Sequence, residues 1–187
     1  MDFSSFSLDR RLGAGIRGGG YVSPTPLQVQ AIPPVLEGKD VLGLAQTGTG
    51  KTAAFALPLL QRMIDANAPL RGPVRVLVLA PTRELALQIH DTFIDLGKQT
   101  GIRCAAVFGG VGENPQIKAA AQSSVLVACP GRLLDLLNRG LIDLSRVDAL
   151  VLDEADRMFD MGFLPDLRRI MAKLPARRQN LLFSATM

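Results

Sequence analysis

The stretch VLGLAQTGTGKT, residues Val41–Thr52, decides the fold of this 187-residue chain. A short apolar strand runs into a glycine-rich turn, and the residues from Lys51 to Ile64 have the spacing of a helix. Glycines in such a turn let backbone N–H groups point inward at phosphate, and the dipole at the helix N-terminus adds to the attraction. Lys51 supplies a positive charge for the β- and γ-phosphates, and Thr52 supplies a hydroxyl for Mg2+. The stretch therefore predicts a P-loop, whose binding residues are Ala45, Gln46, Thr47, Gly48, Thr49, Gly50, Lys51 and Thr52.

An acidic pair at the end of another apolar strand supports this prediction. In LVLDEAD, residues Leu150–Asp156, the strand delivers Asp153 and Glu154 to its carboxyl end. Asp153 is suited to hold Mg2+ through water, because Mg2+ keeps much of its hydration shell. Glu154 is suited to orient and deprotonate an attacking water. Alone, the motifs could be an empty glycine turn and an acidic helix start, but together they predict a hydrolytic site with Lys51, Asp153 and Glu154 as catalytic residues.

The rest of the chain predicts an α/β fold. Continuous apolar strands that alternate with helices are typical of a mostly parallel central sheet flanked by helices on both faces. Functional loops are expected at the carboxyl ends of the strands, where both motifs lie. Residues 41–187 are expected to form the ATP-binding domain, and residues 1–40 a segment packed on it. The predicted strands are 41–45, 74–80, 103–108, 124–128, 149–153 and 179–184, and the predicted helices are 51–64, 84–99, 115–122, 132–138 and 164–172.

The first forty residues contain a literal G-x-G-x-x-G pattern at Gly13–Gly18, which after a strand would indicate a dinucleotide site. No strand precedes it, because the residues from Phe6 to Arg11 read as a helix start with Ser7 as its N-cap. The glycines are therefore expected to loosen a short helix or turn, at a cost of up to about 1 kcal/mol each.

The composition of the chain argues for or against several other kinds of binding site and location. The formal net charge of +4 suits a polyanionic partner, whereas an aromatic content of 5% argues against a base-stacking platform. Cys104 and Cys129 lie outside any C-x-x-C pattern and are expected to be buried small hydrophobes, and the lone His90 cannot form a metal site. No apolar run approaches the roughly 20 residues of a membrane span, and the first residues do not resemble a secretory signal. We therefore expect a cytoplasmic protein with no membrane partner.

The residues Asp153-Glu154-Ala155-Asp156 spell the signature of the DEAD-box ATP-dependent RNA helicases, and the rest of the chain resembles that family in the family's order of motifs. The further matches are the Q motif at 24–28 (PTPLQ) with Tyr21 before it and Phe3 upstream, motif Ia at 81–86 (PTRELA), the glycine doublet at 108–110 (FGG), motif Ib at 130–132 (PGR) and motif III at 184–186 (SAT). One position departs from the pattern. Cys129 stands where the family usually has Thr, which puts a hydroxyl contact beside motif Ib in doubt.

The resemblance implies ATP and Mg2+ as cofactors and RNA as a partner. Gln28 would read the adenine edge, since an amide donates and accepts at once, and Tyr21 would stack on the ring. RNA-backbone contacts are implied for Pro81, Thr82, Arg83, Gly109, Gly110, Pro130, Gly131 and Arg132. Coupling of hydrolysis to strand separation is implied for Asp156, Ser184, Ala185 and Thr186. Taken alone, the stretch around Gln28 reads as a capped turn, and Arg83 and Arg132 as solvated residues at helix starts.

The family's fold has two RecA-like domains, and the second carries further RNA contacts and arginine fingers. Nothing in this sequence matches the second domain, and the chain stops one residue after motif III. We expect the N-terminal RecA-like half of an ATP-dependent RNA helicase, with the second domain as its partner. Its ATPase activity alone should be negligible, because a trans-acting arginine is worth about 10³–10⁵ in rate. Two alternatives stay open: another P-loop helicase that acts on DNA, and a nucleotide-gated module that docks RNA or protein.

Overall fold

A computed structural model describes residues 2–186, which form a six-stranded sheet with helices around it. The strands are Val41–Leu44 (β1), Val76–Leu79 (β2), Cys104–Val107 (β3), Val125–Ala128 (β4), Ala149–Leu152 (β5) and Gln179–Ser184 (β6). Their order is β1-β6-β5-β2-β4-β3, and every neighbouring pair runs parallel. The predicted sheet is therefore confirmed, and each strand lies within its predicted range.

The helices are Arg10–Gly18 (α1), Pro26–Leu36 (α2), Lys51–Asp65 (α3), Arg83–Gly97 (α4), Asn114–Ala121 (α5), Pro130–Asn138 (α6), Ala155–Asp160 (α7) and Leu164–Met171 (α8), and a short 3₁₀ helix spans Phe3–Phe6. Two of the α-helices, α2 and α7, were not predicted, and neither was the 3₁₀ helix. Helix α2 contains Pro33 and Pro34, which obscure a helical pattern, and α7 has only 6 residues. Among residues 2–186, no helix has the length and apolar character needed to cross a bilayer.

Alternate side chains of the strands pack into two apolar cores, one on each face of the sheet. In β2, Val76 and Val78 join the core that contains Phe55, whereas Leu77 and Leu79 join the core on the other face. All of β2 is buried, so a strand in the middle of this sheet has to be apolar on both sides. This requirement is why uninterrupted apolar runs identified the strands.

The first residues of the chain lie against the core that contains Phe55. Phe3, Leu12 and Ile16 are all buried in that cluster. They come from the 3₁₀ helix and from α1, and α1 packs mainly on α4. The N-terminal segment is thus held by the same hydrophobic burial that holds the sheet and its helices.

The prediction that Ser7 caps the first helix is wrong. Ser7 ends the 3₁₀ helix with a left-handed backbone (φ 53°), and α1 begins at Arg10 with Asp9 as its N-cap. The Asp9 carboxylate accepts a hydrogen bond from the Arg11 backbone N–H at 2.9 Å and also pairs with the Arg11 guanidinium. Asp is among the favoured N-cap residues, and here its carboxylate also holds the side chain of Arg11.

The G-x-G-x-x-G stretch lies within α1 and serves helix packing. A Cβ atom added to Gly15 would lie 2.2 Å from the carbonyl oxygen of Leu96 in α4, whereas one added to Gly13 would come no closer than 3.5 Å to the Arg17 side chain. Gly15 therefore allows the backbones of α1 and α4 to approach each other, which the expectation of a loosened helix did not include.

Gln179 ties the start of β6 to the end of α2. The side chain is 4% exposed, and its Nε2 donates to the carbonyl oxygens of Val35 (3.1 Å) and Lys39 (2.6 Å). Arg62 of α3 donates to its Oε1. A buried amide with these three partners fixes one end of β6 against two helices.

Candidate functional site

The carboxyl ends of the parallel strands form one edge of the sheet, and the sequence motifs that follow strands lie along it. Residues 45–52 follow β1, residues 153–156 follow β5, and residues 185–186 follow β6. Because β6 lies between β1 and β5, these three segments are neighbours. The loops after β2, β4 and β3 form the other half of the edge and carry the residues for which RNA contacts are implied.

The P-loop has the backbone that its glycines predict. Gly48 and Gly50 have φ values of 83° and 81°, which other residues rarely adopt. Gly50 is the N-cap of α3 and has no side chain to satisfy the first N–H groups of the helix, so these donors are available to an anion. The Ala45 N–H donates to Ser184 O at 2.9 Å, which fastens the start of the loop to β6. The Thr49 hydroxyl donates to a carbonyl three residues earlier at 2.7 Å and closes the turn.

Lys51 and Asp153 meet although 102 residues separate them in the sequence. The distance from Lys51 Nζ to Asp153 Oδ1 is 3.5 Å, and the two side chains are 8% and 1% exposed. Burial raises the pKa of Asp153 above its ordinary value, and the charge of Lys51 opposes this shift without cancelling it. The P-loop cation and the first acidic residue of the DEAD motif thus form one buried pair.

The oxygen donors of this site fit Mg2+. The Asp153 carboxylate and the Thr52 hydroxyl are hard ligands, and Thr52 lies next to Lys51 in the first turn of α3. Within residues 2–186, no three His, Cys, Asp or Glu side chains are grouped so that they could hold a metal ion. This donor set suits an ion that keeps several waters and takes other ligands from phosphates, as Mg2+ does.

Glu154 has an unusual backbone and a different partner from its neighbour. It is the N-cap of α7 with φ 52° and ψ 50°, a left-handed conformation that is uncommon outside glycine. Its Oε2 accepts from Arg157 Nη1 at 3.2 Å, and its side chain is 14% exposed. Strained backbones of this kind concentrate at functional sites. The turn therefore separates two adjacent carboxylates, so that one pairs with Lys51 and the other with Arg157.

Asp156 joins α7 to the segment after β6. Its Oδ2 accepts hydrogen bonds from Ala185 N–H (3.2 Å), Thr186 N–H (3.1 Å) and the Thr186 hydroxyl (3.0 Å). Burial opposes ionisation of Asp156, but hydrogen bonds from Thr186 and the Arg157 N–H outweigh it and lower its pKa. Ser184 takes part indirectly, because its hydroxyl donates to Thr186 O at 2.6 Å. All four residues with an implied coupling role are thus brought together.

The residues of the Q motif form hydrogen bonds with the P-loop backbone. The Thr25 hydroxyl donates to Thr49 O at 2.9 Å, and Gln28 Nε2 donates to Gly50 O at 3.1 Å. Gln28 is 1% exposed, and its Oε1 accepts from the Thr25 N–H at 2.9 Å, which completes a capping box at the start of α2. An amide has two donors and two acceptor lone pairs, so one of each remains for a ligand. Tyr21 is half-buried, edge-on to Phe3 at 6.2 Å.

Arg157 was not predicted as a site residue, and Thr25 was predicted only as part of the Q motif, with no role of its own. Its role could have been found, because Thr followed three residues later by Gln is the capping-box pattern. Arg157 lies three residues after Glu154 in a helix too short to be predicted, so its pairing with that carboxylate had no detectable signal.

Two arginines connect the loops in the other half of the edge. The guanidinium carbon of Arg83 lies 5.0 Å from the centre of the Phe108 ring, and Arg132 Nη1 donates to Val111 O at 3.2 Å. Gly109 and Gly110 are exposed between these contacts, and a Cβ at either would meet nothing within 4 Å. The loops after β2, β3 and β4 therefore present arginine side chains beside open backbone.

The helix starts in this half differ in their caps. The Thr82 hydroxyl accepts from the Leu85 N–H at 3.3 Å at the start of α4, whereas Cys129 at the start of α6 makes no side-chain cap. Pro130 and Gly131 follow Cys129 as the first residues of α6, and Pro81 precedes Thr82 as a buried residue. Burial, helped by the charge of Glu84, raises the pKa of Cys129 to about 11, so its thiol stays protonated at neutral pH.

Comparison with known proteins places this geometry among helicases. The model of the DEAD/DEAH box helicase family matches residues 25–187. The DEAD-box ATP-dependent RNA helicase CshA of Streptococcus pneumoniae is 46% identical over 100% of this chain and 35% of its own length, and the ATP-dependent RNA helicase DeaD of Escherichia coli is 47% identical over 99% of this chain and 29% of its own.

This chain also resembles a crystal structure of a DEAD box protein from the hyperthermophile Methanococcus jannaschii, with a TM-score of 0.93 and 37% sequence identity. The superposition covers 100% of this chain and 50% of the chain in that crystal structure. The chain thus spans between about a third and a half of the length of these relatives.

Proposed function

The chain belongs to the DEAD/DEAH box helicase family, and from that premise we propose that it binds ATP with Mg2+ and carries the ATP-binding part of an ATP-dependent RNA helicase. The observation that carries this proposal is the contact of the P-loop with the DEAD motif, where Lys51 Nζ lies 3.5 Å from Asp153 Oδ1. Two more links support it, from Gln28 to Gly50 and from Asp156 to Thr186. Nucleotide-binding and acidic residues thereby form one connected site.

ATP would be held at both of its ends. The N–H groups at the start of α3 and the Lys51 ammonium bind the phosphates, because a helix N-terminus and a cation both attract anions. Gln28 reads the adenine edge with its remaining donor and acceptor, and Tyr21 packs against the ring. Since Gln28 also holds the Gly50 carbonyl, adenine and phosphate recognition share one side chain.

Thr52 and Asp153 would hold Mg2+, which when bound neutralises charge on the phosphate oxygens. Glu154 accepts a proton from the attacking water, because it is the partly exposed carboxylate next to Asp153 and its partner Arg157 lies at the surface. Lys51 stabilises the charge that develops on the transferred phosphate.

RNA would bind along the loops after β2, β3 and β4. Arg83, Arg132 and the open backbone at Gly109 and Gly110 suit phosphodiester groups, which such donors contact without reading sequence. Asp156 connects the nucleotide half of the edge to the segment at Thr186, and this connection would couple hydrolysis to local unwinding of RNA.

A second RecA-like domain of the same protein would complete the machinery. This proposal is supported by the coverage of the relatives, of which the chain spans 35% in one and 50% in another. Such a domain would face the edge formed by the carboxyl ends of the strands, where Glu154 and Thr186 lie.

The proposal is tested by Lys51→Ala in isothermal titration calorimetry with ATP and Mg2+. Loss of a charged hydrogen bond of about 1.5–3 kcal/mol should weaken ATP binding by about 10- to 150-fold. Lys39→Ala is the matched control, since Lys39 is an exposed lysine paired with Glu37 outside the site. Melting curves of both variants separate loss of binding from loss of fold. Equal affinities of the two variants would refute the site, and in the longer protein stimulation of ATPase by DNA but not RNA would refute the substrate.

A further inference from the structure

The segment from Arg168 to Arg178 carries an unusual charge. It contains 5 Lys or Arg residues and no Asp or Glu, whereas the whole chain has a net charge of only +4. The cations are Arg168, Arg169, Lys173, Arg177 and Arg178. A run of charged residues is most often only a solvated surface. Its position in the fold therefore decides whether it could also bind a ligand.

The end of this segment lies at the amino edge of the sheet, opposite to the nucleotide site. Residues 172–178 connect α8 to the start of β6, and β6 carries Ser184 at its other end. A strand of six residues spans about 20 Å, so a group near Arg177 is too far away to act on ATP directly. These cations are therefore separate from the machinery of the proposed site.

Arg177 lies in a groove with two further arginines from neighbouring strand starts. The groove has a volume of about 500 Å³, and its lining includes Pro69, Pro73, Arg75, Arg146, Pro175 and Arg177. We call it the amino-edge groove. The three arginines come from segments that are distant in sequence, and the fold brings them to one groove.

The charges of the amino-edge groove are only partly neutralised. Arg75 is paired with Asp148, which also lines the groove. Arg146 and Arg177 make no ion pair with any of residues 2–186. The nearby Asp143 carboxylate accepts from the Ser145 N–H at 2.9 Å and attracts Arg146 without forming an ion pair. Two guanidinium groups are thus available to an anion.

The cations around the groove add to this potential. Arg178 donates to neutral oxygens only, those of Pro175 and Asn180, so it keeps its full positive charge. Arg71 and Lys173 are exposed nearby in sequence and likewise form no ion pair within the described residues. The Debye length at physiological salt is about 8 Å, so a phosphate in the groove is attracted by those of these cations that lie within about that distance of it.

We propose that the amino-edge groove is a second RNA-contact surface, which holds the phosphodiester backbone of RNA that extends beyond the strand-end site. This inference rests on the proposed function. Guanidinium groups bind phosphate in a bidentate way, and proline rings give apolar walls for sugar and base without donors that could read sequence. RNA fits better than a peptide, because the proposed substrate is an extended polyanion that can reach from the strand-end site to the opposite edge of the sheet.

Fluorescence anisotropy with a labelled single-stranded RNA of about 20 nucleotides, at several KCl concentrations, tests the inference on the 187-residue chain. Arg146→Gln/Arg177→Gln should weaken RNA binding by about tenfold, and should lower the slope of log affinity against log salt by about 1.4. ATP binding should not change. Arg10→Gln/Arg17→Gln removes the same charge from exposed residues of α1 and serves as the control. Arg132→Gln reports separately on the strand-end site.

The outcomes separate the two proposals. If Arg132→Gln weakens RNA binding but the groove pair behaves like the α1 control, the groove inference is overturned and the proposed function stands. If the unmodified chain binds ATP but not RNA, the groove inference is overturned and the proposed ATP site stands. If a polyglutamate peptide competes as well as unlabelled RNA at equal charge, the groove takes acidic protein segments and the assignment to RNA is wrong.

Discussion

Replacing Asp156 with Asn tests the link between α7 and the segment after β6. The carboxylate oxygen accepts three hydrogen bonds from Ala185 and Thr186. Asn keeps the shape and one acceptor but has no charge. Hydrogen bonds to charged groups contribute about 1.5–3 kcal/mol and neutral ones about 0.5–1.5 kcal/mol, so Asp156→Asn should lower the free energy of unfolding by about 1–2 kcal/mol at pH 7. For a domain of this size that corresponds to a fall in Tm of about 2–8 °C.

The effect of Asp156→Asn should depend on pH in a defined direction. The native pKa of Asp156 lies below its ordinary value, because hydrogen bonds to the carboxylate outweigh its burial. A lowered pKa means that the charged form stabilises the fold. This stabilisation is complete above the unfolded-state pKa of about 3.9 and is lost as the pH falls through the native pKa. The stability difference between the two proteins should therefore be constant above about pH 5 and should shrink in more acidic solution.

Asp160→Asn is the matched control for this experiment. Asp160 is an exposed residue of the same helix, and it makes no side-chain hydrogen bond or ion pair within residues 2–186. Urea unfolding followed by circular dichroism, from pH 8 down to the lowest pH with a cooperative transition, measures both variants. The reasoning is refuted if Asp156→Asn unfolds like Asp160→Asn at pH 7, or if its deficit is unchanged in acid.

Three other substitutions test separate contacts. Gly15→Ala should destabilise the fold by about 1–3 kcal/mol in thermal unfolding, because its Cβ would overlap a backbone oxygen of α4. Gly13→Ala should instead stabilise the fold by up to about 1 kcal/mol. Equal effects of the two substitutions would contradict the packing role of Gly15. Gln28→Ala should weaken ATP binding in calorimetry while Gln30→Ala, at an exposed site on the same helix, should not. Cys129→Thr should raise the free energy of unfolding by about 0.5–1 kcal/mol by capping α6, and an unchanged melting curve would count against this.

The strands and the P-loop could be predicted because each depends on local chemistry. A central strand of this sheet must be apolar on both faces, so β2 is visible as an uninterrupted run. The positive φ values at Gly48 and Gly50 follow from the requirement that N–H groups face a phosphate. Neither prediction depends on which strands are neighbours in the sheet.

The contacts between segments could not be predicted, because they depend on the order of the strands. Lys51 meets Asp153 because only one strand, β6, lies between β1 and β5 in the sheet. The Ser7 prediction failed for a different reason. Ser7 and Asp9 are both suitable N-cap residues. Because Ser7 ends the preceding 3₁₀ helix, α1 begins later and Asp9 is its N-cap.

The anchoring of α2 at both ends has a consequence for hydrogen exchange. Gln28 ties the first turn of α2 to the P-loop, Gln179 ties its last turn to β6, and β6 returns to the P-loop through the bond from Ala45 N–H to Ser184 O. These bonds close a circuit, so none of the three segments can open without breaking a bond to another. The Ala45 amide is one of the links in this circuit, so it should exchange more slowly than the loop amides beside it that have no backbone partner.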